Sequence, residues 1–208
     1  MTARCAALLW LGPVPSPAAP PGIDGAAYAA AMFDDVAEVL HGLEGVQSLV
    51  VCSANRSESV RPLLWPDVPI VESAAPSVLS AVRWAQERGF GEVVVVAADA
   101  PDLPQLVLAK VFQALARSPV AVAAMDDGAA VAVGVALPAP AWLPDLDLAD
   151  RHLLAQLRAV AGGPAQAALT PGWHRMRTPD DARRLDAGLE GWEATRALLS
   201  GLRAPQEA

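Results

Sequence analysis

The stretch EVVVVAADAPDLP, residues 92–104, decides how this chain folds. Four consecutive valines are typical of a central strand in a parallel sheet, where both faces of the strand are buried. The apolar run leads directly into Asp99, and Pro101, Asp102 and Pro104 follow within five residues. We therefore predict a buried parallel strand whose carboxyl end carries a polar loop.

Strands and helices alternate on both sides of this stretch. Short apolar runs indicate strands, and apolar residues at helical spacing indicate helices. The predicted strands are 4–11, 46–53, 68–72, 120–124, 129–137 and an extended segment at 166–170; the predicted helices are 26–43, 60–65, 77–89, 105–117 and 148–161, with a polar turn at 54–59. This alternation predicts a mostly parallel α/β sheet, and the Asp127-Gly128 turn between two late strands predicts a hairpin that makes the sheet mixed.

Length and composition fit a single domain. The chain has 208 residues, of which 53% are apolar, enough for one sizeable core but too few for two comfortable domains. We predict one domain over residues 1–187 and a C-terminal helical extension over 188–208. No apolar run reaches the roughly 18 residues of a membrane span, and the first ten residues resemble a buried strand more than an export signal. We expect a cytoplasmic protein that does not contact a membrane.

Charge and isolated residues exclude several kinds of site. A net charge of −8 argues against nucleic-acid binding, which needs a broad basic surface, and favours a small-molecule ligand. Cys5 and Cys52 lie in predicted strands without a third ligand at metal-binding spacing, so we expect buried thiols. His41 and His152 lie in predicted helices without a partner, and we interpret them as structural or solvated.

The polar residues at strand ends are the candidates for a ligand site, because ligands of open α/β sheets bind beyond the carboxyl ends of the strands. Asp99 could hold a hard cation that binds phosphate oxygens, or could simply close the turn. Asp102 could belong to the same site, or could cap the next helix. The Asp126-Asp127-Gly128 element could present a carboxylate and bare backbone to a ligand, or could be an ordinary hairpin turn.

A basic segment follows the last predicted strand. His174, Arg175 and Arg177 precede Thr178 and Pro179, which are typical of a helix N-cap and first helical position. The guanidinium groups could meet an anionic ligand, or the segment could be a solvated basic turn. The sequence has no Ser-His-Asp order, Walker loop or GxGxxG motif, so local motifs support neither a hydrolase nor a dinucleotide-binding protein.

Three motifs taken in order carry a resemblance to a known family: VVVVAADAPDL, DDG before an apolar strand, and RMRTPDDARRL. Over roughly residues 4–187 the chain resembles bacterial glycosyltransferase-A-like proteins of the nucleotide-diphospho-sugar transferase type, related to molybdenum-cofactor and phospholactate guanylyltransferases. The resemblance implies a Rossmann-like mixed sheet, a nucleoside triphosphate or nucleotide sugar as ligand, and magnesium or manganese. On the family pattern Asp99 is the metal-proximal carboxylate, Asp102 follows it, and Asp127 and Gly128 match the later turn.

Two departures from the family pattern bear on activity. Active relatives carry an Arg and a Lys in the first loop for the triphosphate, whereas this chain has neither between Cys5 and Asn55, which leaves the backbone of the Gly12 loop to hold phosphates. Where relatives place Asp-x-Asp, this chain has RMR at 175–177. Arginines there would repel a divalent cation, although they could face a phosphate as fixed positive charge.

The sequence therefore predicts a nucleotidyl- or glycosyltransferase-like protein whose catalysis is altered or lost. The alternative is a catalytically inactive relative that acts as a binding or assembly protein. Trp142, Trp173 and Trp192 could cover a homodimer interface, or could pack within the core.

Overall fold

The computed structural model describes residues 3–9, 16–186 and 188–201. Within them, one seven-stranded sheet has the order β3-β2-β1-β4-β6-β5-β7. The strands are β1 Arg4–Leu9, β2 Val46–Cys52, β3 Ile70–Glu72, β4 Glu92–Ala97, β5 Val120–Ala124, β6 Ala130–Ala136 and β7 Ala167–Thr170. The helices are α1 Gly25–His41, α2 Ala54–Val60, α3 Val78–Glu87, α4 Gln105–Leu115, α5 Leu153–Val160 and α6 Glu193–Ser200. The predicted single α/β domain is confirmed.

Strand directions bring the candidate loops to one edge of the sheet. β1 is parallel to β2 and β4, β2 to β3, and β5 to β7. β6 runs antiparallel to both of its neighbours, β4 and β5, which confirms the predicted hairpin and the mixed sheet. Because the carboxyl ends of parallel strands meet at the same edge, the segments that follow β4, β5 and β7 lie side by side.

The four valines of β4 are buried on both faces of the sheet. Val94 and Val96 pack in a cluster with α1 and α4, whereas Val93 and Val95 pack in a second cluster with α3 and α5. All four are fully buried. Since successive side chains of a strand point to opposite faces, a continuous apolar run is what a strand covered by helices on both sides requires.

The predicted polar turn at 54–59 is wrong, because these residues belong to α2. Serine and asparagine have low helix propensity and favour turns, which is why the pattern indicated a loop. In the helix, the Ser57 and Ser59 hydroxyls donate to the carbonyl oxygens of Ala54 and Arg56, at 2.8 Å each. Val60 at the end of the helix is buried in the core. The hydrogen bonds within the helix and the burial of this apolar side chain therefore outweigh the low helix propensity of the polar residues.

The helix predicted to start at 148 begins later. Asp147 accepts a hydrogen bond from the Ala149 backbone N–H, and Asp150 accepts one from that of His152, at 2.8 and 2.7 Å. These local turns occupy the backbone before α5 begins at Leu153. Helical structure here is therefore limited to the second half of the predicted segment.

Both cysteines are free and buried, as predicted. Burial raises the pKa of Cys5 to about 12 and also raises the pKa of Cys52. Because the thiolate is the reactive form, these residues act as small core side chains. Among the described residues, no helix combines the length and apolar character needed to cross a bilayer.

A buried carboxylate ties α6 to α1. Asp35 of α1 is 1% exposed and accepts hydrogen bonds from the backbone N–H groups of Ala194 and Thr195, at 2.8 and 2.9 Å. These N–H groups lie in the first turn of α6, where no preceding helical turn supplies carbonyl oxygens to accept their hydrogen bonds. Burial raises the pKa of Asp35 to about 6, although the hydrogen bonds from Thr195 and Ala194 lower it. The domain boundary near 187 stays a prediction.

This contact predicts a pH-dependent stability. The pKa of Asp35 is about 6 in the folded chain and about 3.9 in an unfolded one, so ionisation of this group opposes folding. As pH rises from about 4 to about 6, we expect the unfolding free energy of the wild type to fall relative to that of Asp35→Asn by on the order of 2 kcal/mol. Urea unfolding of both proteins across this window measures the difference, and a constant difference would contradict the expectation.

Candidate functional site

The loops after β4, β5 and β7 form the candidate site at the carboxyl edge of the sheet. They bring together all the predicted site residues that the structure describes, namely Asp99, Asp102, Asp127, Gly128, Arg175 and Arg177. Gly12 lies outside the described residues. Ligand binding by these residues stays a prediction, but their mutual contacts define what the edge can do.

Arg175 and Asp99 form a bidentate ion pair. Nε of Arg175 lies 2.6 Å from Oδ1 of Asp99, and Nη2 lies 3.0 Å from Oδ2. Nη1 donates to the carbonyl oxygens of Ala130 and Leu148, at 3.0 and 2.8 Å. The side chain is buried, so the alternative of a solvated basic turn does not describe Arg175. The residue joins the loop after β4 to the start of β6 and to the segment before α5.

The residues around Asp99 do not fit a divalent cation in this arrangement. A hard cation binds carboxylate oxygens directly, but both oxygens of Asp99 already accept hydrogen bonds from Arg175. The neighbouring guanidinium would also repel a second positive charge. Within the described ranges, no group of three or more His, Cys, Asp or Glu residues is placed to hold a metal ion. Metal binding by Asp99 stays a prediction, and it requires Arg175 to move away.

Asp102 is a second, deeper carboxylate in the same loop. Its side chain is 0% exposed, and its oxygens lie 2.9 and 3.0 Å from Nε2 of His174. The indole Nε1–H of Trp173 donates to it at 3.0 Å. α4 begins after Pro104 without a side-chain cap, so the alternative that Asp102 caps this helix does not hold. Asp102 instead fixes the two aromatic rings that follow β7.

Asp127 and Arg177 form a third pair, nearer to solvent. Nη1 of Arg177 lies 2.9 Å from Oδ2 of Asp127, and Nε of Arg151 lies 3.5 Å from the same oxygen. Gly128 closes the hairpin turn with φ +91°, and a Cβ at this position would lie 2.3 Å from the carbonyl oxygen of Arg151. The turn therefore needs glycine both for its backbone conformation and for this close approach.

The segment after β7 is held at both ends. At Gly172 it passes so close to the end of β5 that a Cβ would lie 1.6 Å from the carbonyl oxygen of Ala124. Further along, Asp181 accepts hydrogen bonds from the backbone N–H groups of Arg177 and Thr178, at 3.0 and 2.8 Å. Thr178 precedes a 3-10 helix that has Pro179 in its first turn, as the sequence predicts. These contacts set the position from which Arg175 reaches Asp99.

A cleft of about 360 Å³ opens beside these pairs. It is lined by Ala124, Met125, Asp126, Asp127, Gly172, Trp173, His174 and Arg184. Asp126 is exposed, and no described residue pairs with its carboxylate. The lining of the cleft thus combines apolar residues, an aromatic ring and charged groups of both signs.

Sequence analysis placed His174 in the basic segment and Trp173 at a possible interface, but missed that both contact Asp102. A signal was present, because three acidic residues of the loops each pair with a basic one in the segment 174–177: Asp99 with Arg175, Asp102 with His174, and Asp127 with Arg177. Three acids and three bases brought to one edge would predict that they pair with one another. Which acid pairs with which base could not be predicted, because it depends on the register of the strands in the sheet.

One protein-family model matches the central part of the chain. A model of a family described as "Uncharacterized protein conserved in bacteria" (DUF2064) matches residues 76–149, which include β4 and the loop holding Asp99. No curated protein matches the chain.

Solved structures of similar fold cover nearly the whole chain. A proposed nucleotide-diphospho-sugar transferase from Desulfovibrio desulfuricans G20 is 14% identical with a TM-score of 0.66, covering 98% of each chain. CMP:2-keto-3-deoxy-manno-octonic acid synthetase in complex with CTP is 12% identical with a TM-score of 0.56, covering 96% of this chain and 99% of its own. Rv0371c from Mycobacterium tuberculosis H37Rv in complex with manganese is 16% identical with a TM-score of 0.52, covering 91% and 100%. The predicted resemblance to the nucleotide-diphospho-sugar transferase fold is confirmed.

Proposed function

We propose that this chain binds a nucleoside triphosphate or nucleotide sugar at the carboxyl edge of its sheet without a metal ion at Asp99, and that metal-dependent transfer is lost. The bidentate pair of Arg175 with Asp99 carries this proposal, since the guanidinium donates to both carboxylate oxygens, neutralises their charge and would repel a cation beside them. A fold neighbour in complex with CTP supports a nucleotide as the ligand class.

Positive charge for the phosphates would come from arginines that have room to rearrange. The Arg175 guanidinium already donates to Asp99 and to two carbonyl oxygens. The side chains of Arg151 and Arg184 are 73% and 52% exposed and keep only long ion pairs, at 3.5 and 3.7 Å. Both can turn toward an anion at little cost, because exposed ion pairs contribute little stability. The backbone of the Gly12 loop would supply further N–H donors, as the resemblance implies.

A specific observation also favours the alternative of a binding or assembly protein. Asp99, Asp102 and Asp127 all have basic partners within the chain, so none of these carboxylates is left unpaired for chemistry. Carboxylates paired within the chain suit a surface that contacts a partner rather than one that catalyses a reaction. Homodimer formation belongs with this alternative.

Thermal unfolding with nucleotides separates the two functions. We expect at least one nucleoside triphosphate or nucleotide sugar to raise the melting temperature, because a ligand at about 100 times its dissociation constant stabilises a fold by about 2.7 kcal/mol. The rise should be equal with magnesium, manganese or EDTA, because the proposed site holds no metal ion at Asp99. Stabilisation that appears only with a metal would contradict the metal-free site. No stabilisation by any nucleotide would leave the assembly protein as the better account.

A further inference from the structure

We infer that the free edge of β7 pairs with β7 of a second copy of this chain, so that two seven-stranded sheets join into one. This pairing deepens the homodimer alternative of the proposed function, on which it rests, by giving the dimer a defined surface. It does not require a bound nucleotide.

β7 lies at the end of the sheet with one side unpaired. Within the described ranges, β5 is the one strand that pairs with Ala167–Thr170. The described residues form no other backbone hydrogen bond to residues 167–170. The outer side of an edge strand presents unpaired N–H and C=O groups, which are a template for a further strand.

The chain around β7 lacks the charges that usually protect such an edge. Residues 159–173 contain no Asp, Glu, Lys, Arg or His, whereas natural edge strands are often guarded by charged side chains. Leu169 in the strand is 53% exposed, and Val160 at the end of α5 is 44% exposed. These are two of the four large apolar side chains that the described part of the chain leaves exposed. Apolar surface beside an open strand edge favours contact with another protein surface.

A two-fold axis perpendicular to the sheet brings the two exposed leucines together. Ala167 packs in the cluster that contains the buried leucines of α5, and Leu169 lies two positions later, so it points to the same face. When two copies of β7 run antiparallel about this axis, each keeps that face. The Leu169 side chains of the two copies are then directly opposite or diagonal neighbours, within reach of one another.

Charge favours a second copy as the occupant of this edge. A charged partner finds no opposite charge on residues 159–173, whereas an identical strand finds the same uncharged edge that it presents. Copies with a net charge of −8 repel one another, so they approach most easily where neither brings a charge. Pairing between copies of β7 therefore suits a contact that this chain makes with itself.

The opposite edge of the sheet explains why pairing stops at two copies. β3 ends at the exposed Glu72, and the exposed Asp67 precedes it. Carboxylates at these positions protect β3 from pairing with another strand. A contact between two copies of β7 is closed by its two-fold axis, whereas a contact between β3 and β7 would continue into a fibre.

Sedimentation velocity of the full-length chain without nucleotide tests the pairing. The concentrations run from about 10 μM to about 1 mM, which suits a weak contact smaller than about 1,200 Å². We expect a reversible monomer–dimer equilibrium that strengthens as sodium chloride rises from about 30 to about 300 mM, because salt screens the repulsion between copies. Amide hydrogen exchange at residues 167–170 should slow as the dimer forms, because edge N–H groups become hydrogen-bonded.

Two matched variants locate the contact. Leu169→Lys is expected to raise the dissociation constant at least about tenfold, because each dimer loses two apolar side chains and gains two like charges at neighbouring positions. Ala74→Lys adds the same charge at an exposed position after β3 and should leave the dimer unchanged. Both variants should melt with the wild-type monomer, because both positions are exposed.

Four results would overturn the pairing: a monomer at every concentration, a dimer that Leu169→Lys leaves intact, assemblies larger than a dimer, or a dimer that salt dissociates. The last would mean that ion pairs hold the interface. A dimer that Leu169→Lys leaves intact would keep the homodimer alternative and remove only this contact. None of these outcomes depends on whether the chain binds nucleotides.

Discussion

Replacement of Arg175 by methionine is expected to lower the unfolding free energy by about 3 kcal/mol, because it leaves a largely buried carboxylate without its partner. The guanidinium donates to both oxygens of Asp99 and to the carbonyl oxygens of Ala130 and Leu148, and methionine can replace none of these bonds. Asp99 keeps 26% of its side-chain surface exposed, which places the estimate at the lower end of the range for buried pairs. Chemical denaturation measures the change.

Two controls distinguish the loss of this pair from a general loss of charge. Arg183→Met removes an arginine whose side chain is 84% exposed, and we expect a change below about 0.5 kcal/mol. The double variant Arg175→Met with Asp99→Leu should recover part of the loss, because the uncompensated carboxylate is then absent. Equal stability of Arg175→Met and the wild type would show that the ion pair contributes nothing.

Replacement of Gly172 by alanine is expected to cost about 3 kcal/mol or more, since the new methyl group has no space. Its Cβ would lie 1.6 Å from the carbonyl oxygen of Ala124, and backbone atoms cannot move aside as the end of a long side chain can. The segment after β7 would have to move away from β5. That movement would separate Trp173 from Asp102 and Arg175 from Asp99.

The matched control is Gly201→Ala. Gly201 follows α6 with helical backbone at φ −60°, and the nearest atom to an added Cβ is 3.5 Å away. We expect no loss, or a gain of up to about 1 kcal/mol from the reduced freedom of the unfolded chain. The indole N–H signal of Trp173 should change in Gly172→Ala and not in Gly201→Ala. Equal stability of the two variants would contradict the close approach at Gly172.

The sequence predicted the sheet because the strand pattern depends on burial, which local composition records. The four valines of β4 needed cover on both faces, and the structure supplies it. The location of the Asp99 loop followed from the rule that parallel strands end at one edge. These inferences need no knowledge of distant contacts.

The ion pairs within the site could not be predicted from the sequence. Arg175 lies 76 residues from Asp99, and the two meet only because β7 adds to the sheet beside β5. An extended segment at 166–170 could be recognised, but neither its partner strand nor its parallel direction could. Helix α2 was missed for a similar reason, because the burial of Val60 in the core outweighs the polar composition of the segment. That burial is a tertiary contact, which the local sequence does not show.

Manganese binding tests the central claim most directly. Electron paramagnetic resonance reports free manganese during titration of the wild type and Asp99→Asn. Because Arg175 occupies both oxygens of Asp99, we predict that the two titrations superimpose. A manganese site in the wild type that Asp99→Asn abolishes would contradict the account, since it would mean that the cation displaces Arg175 and that Asp99 is available as a metal ligand.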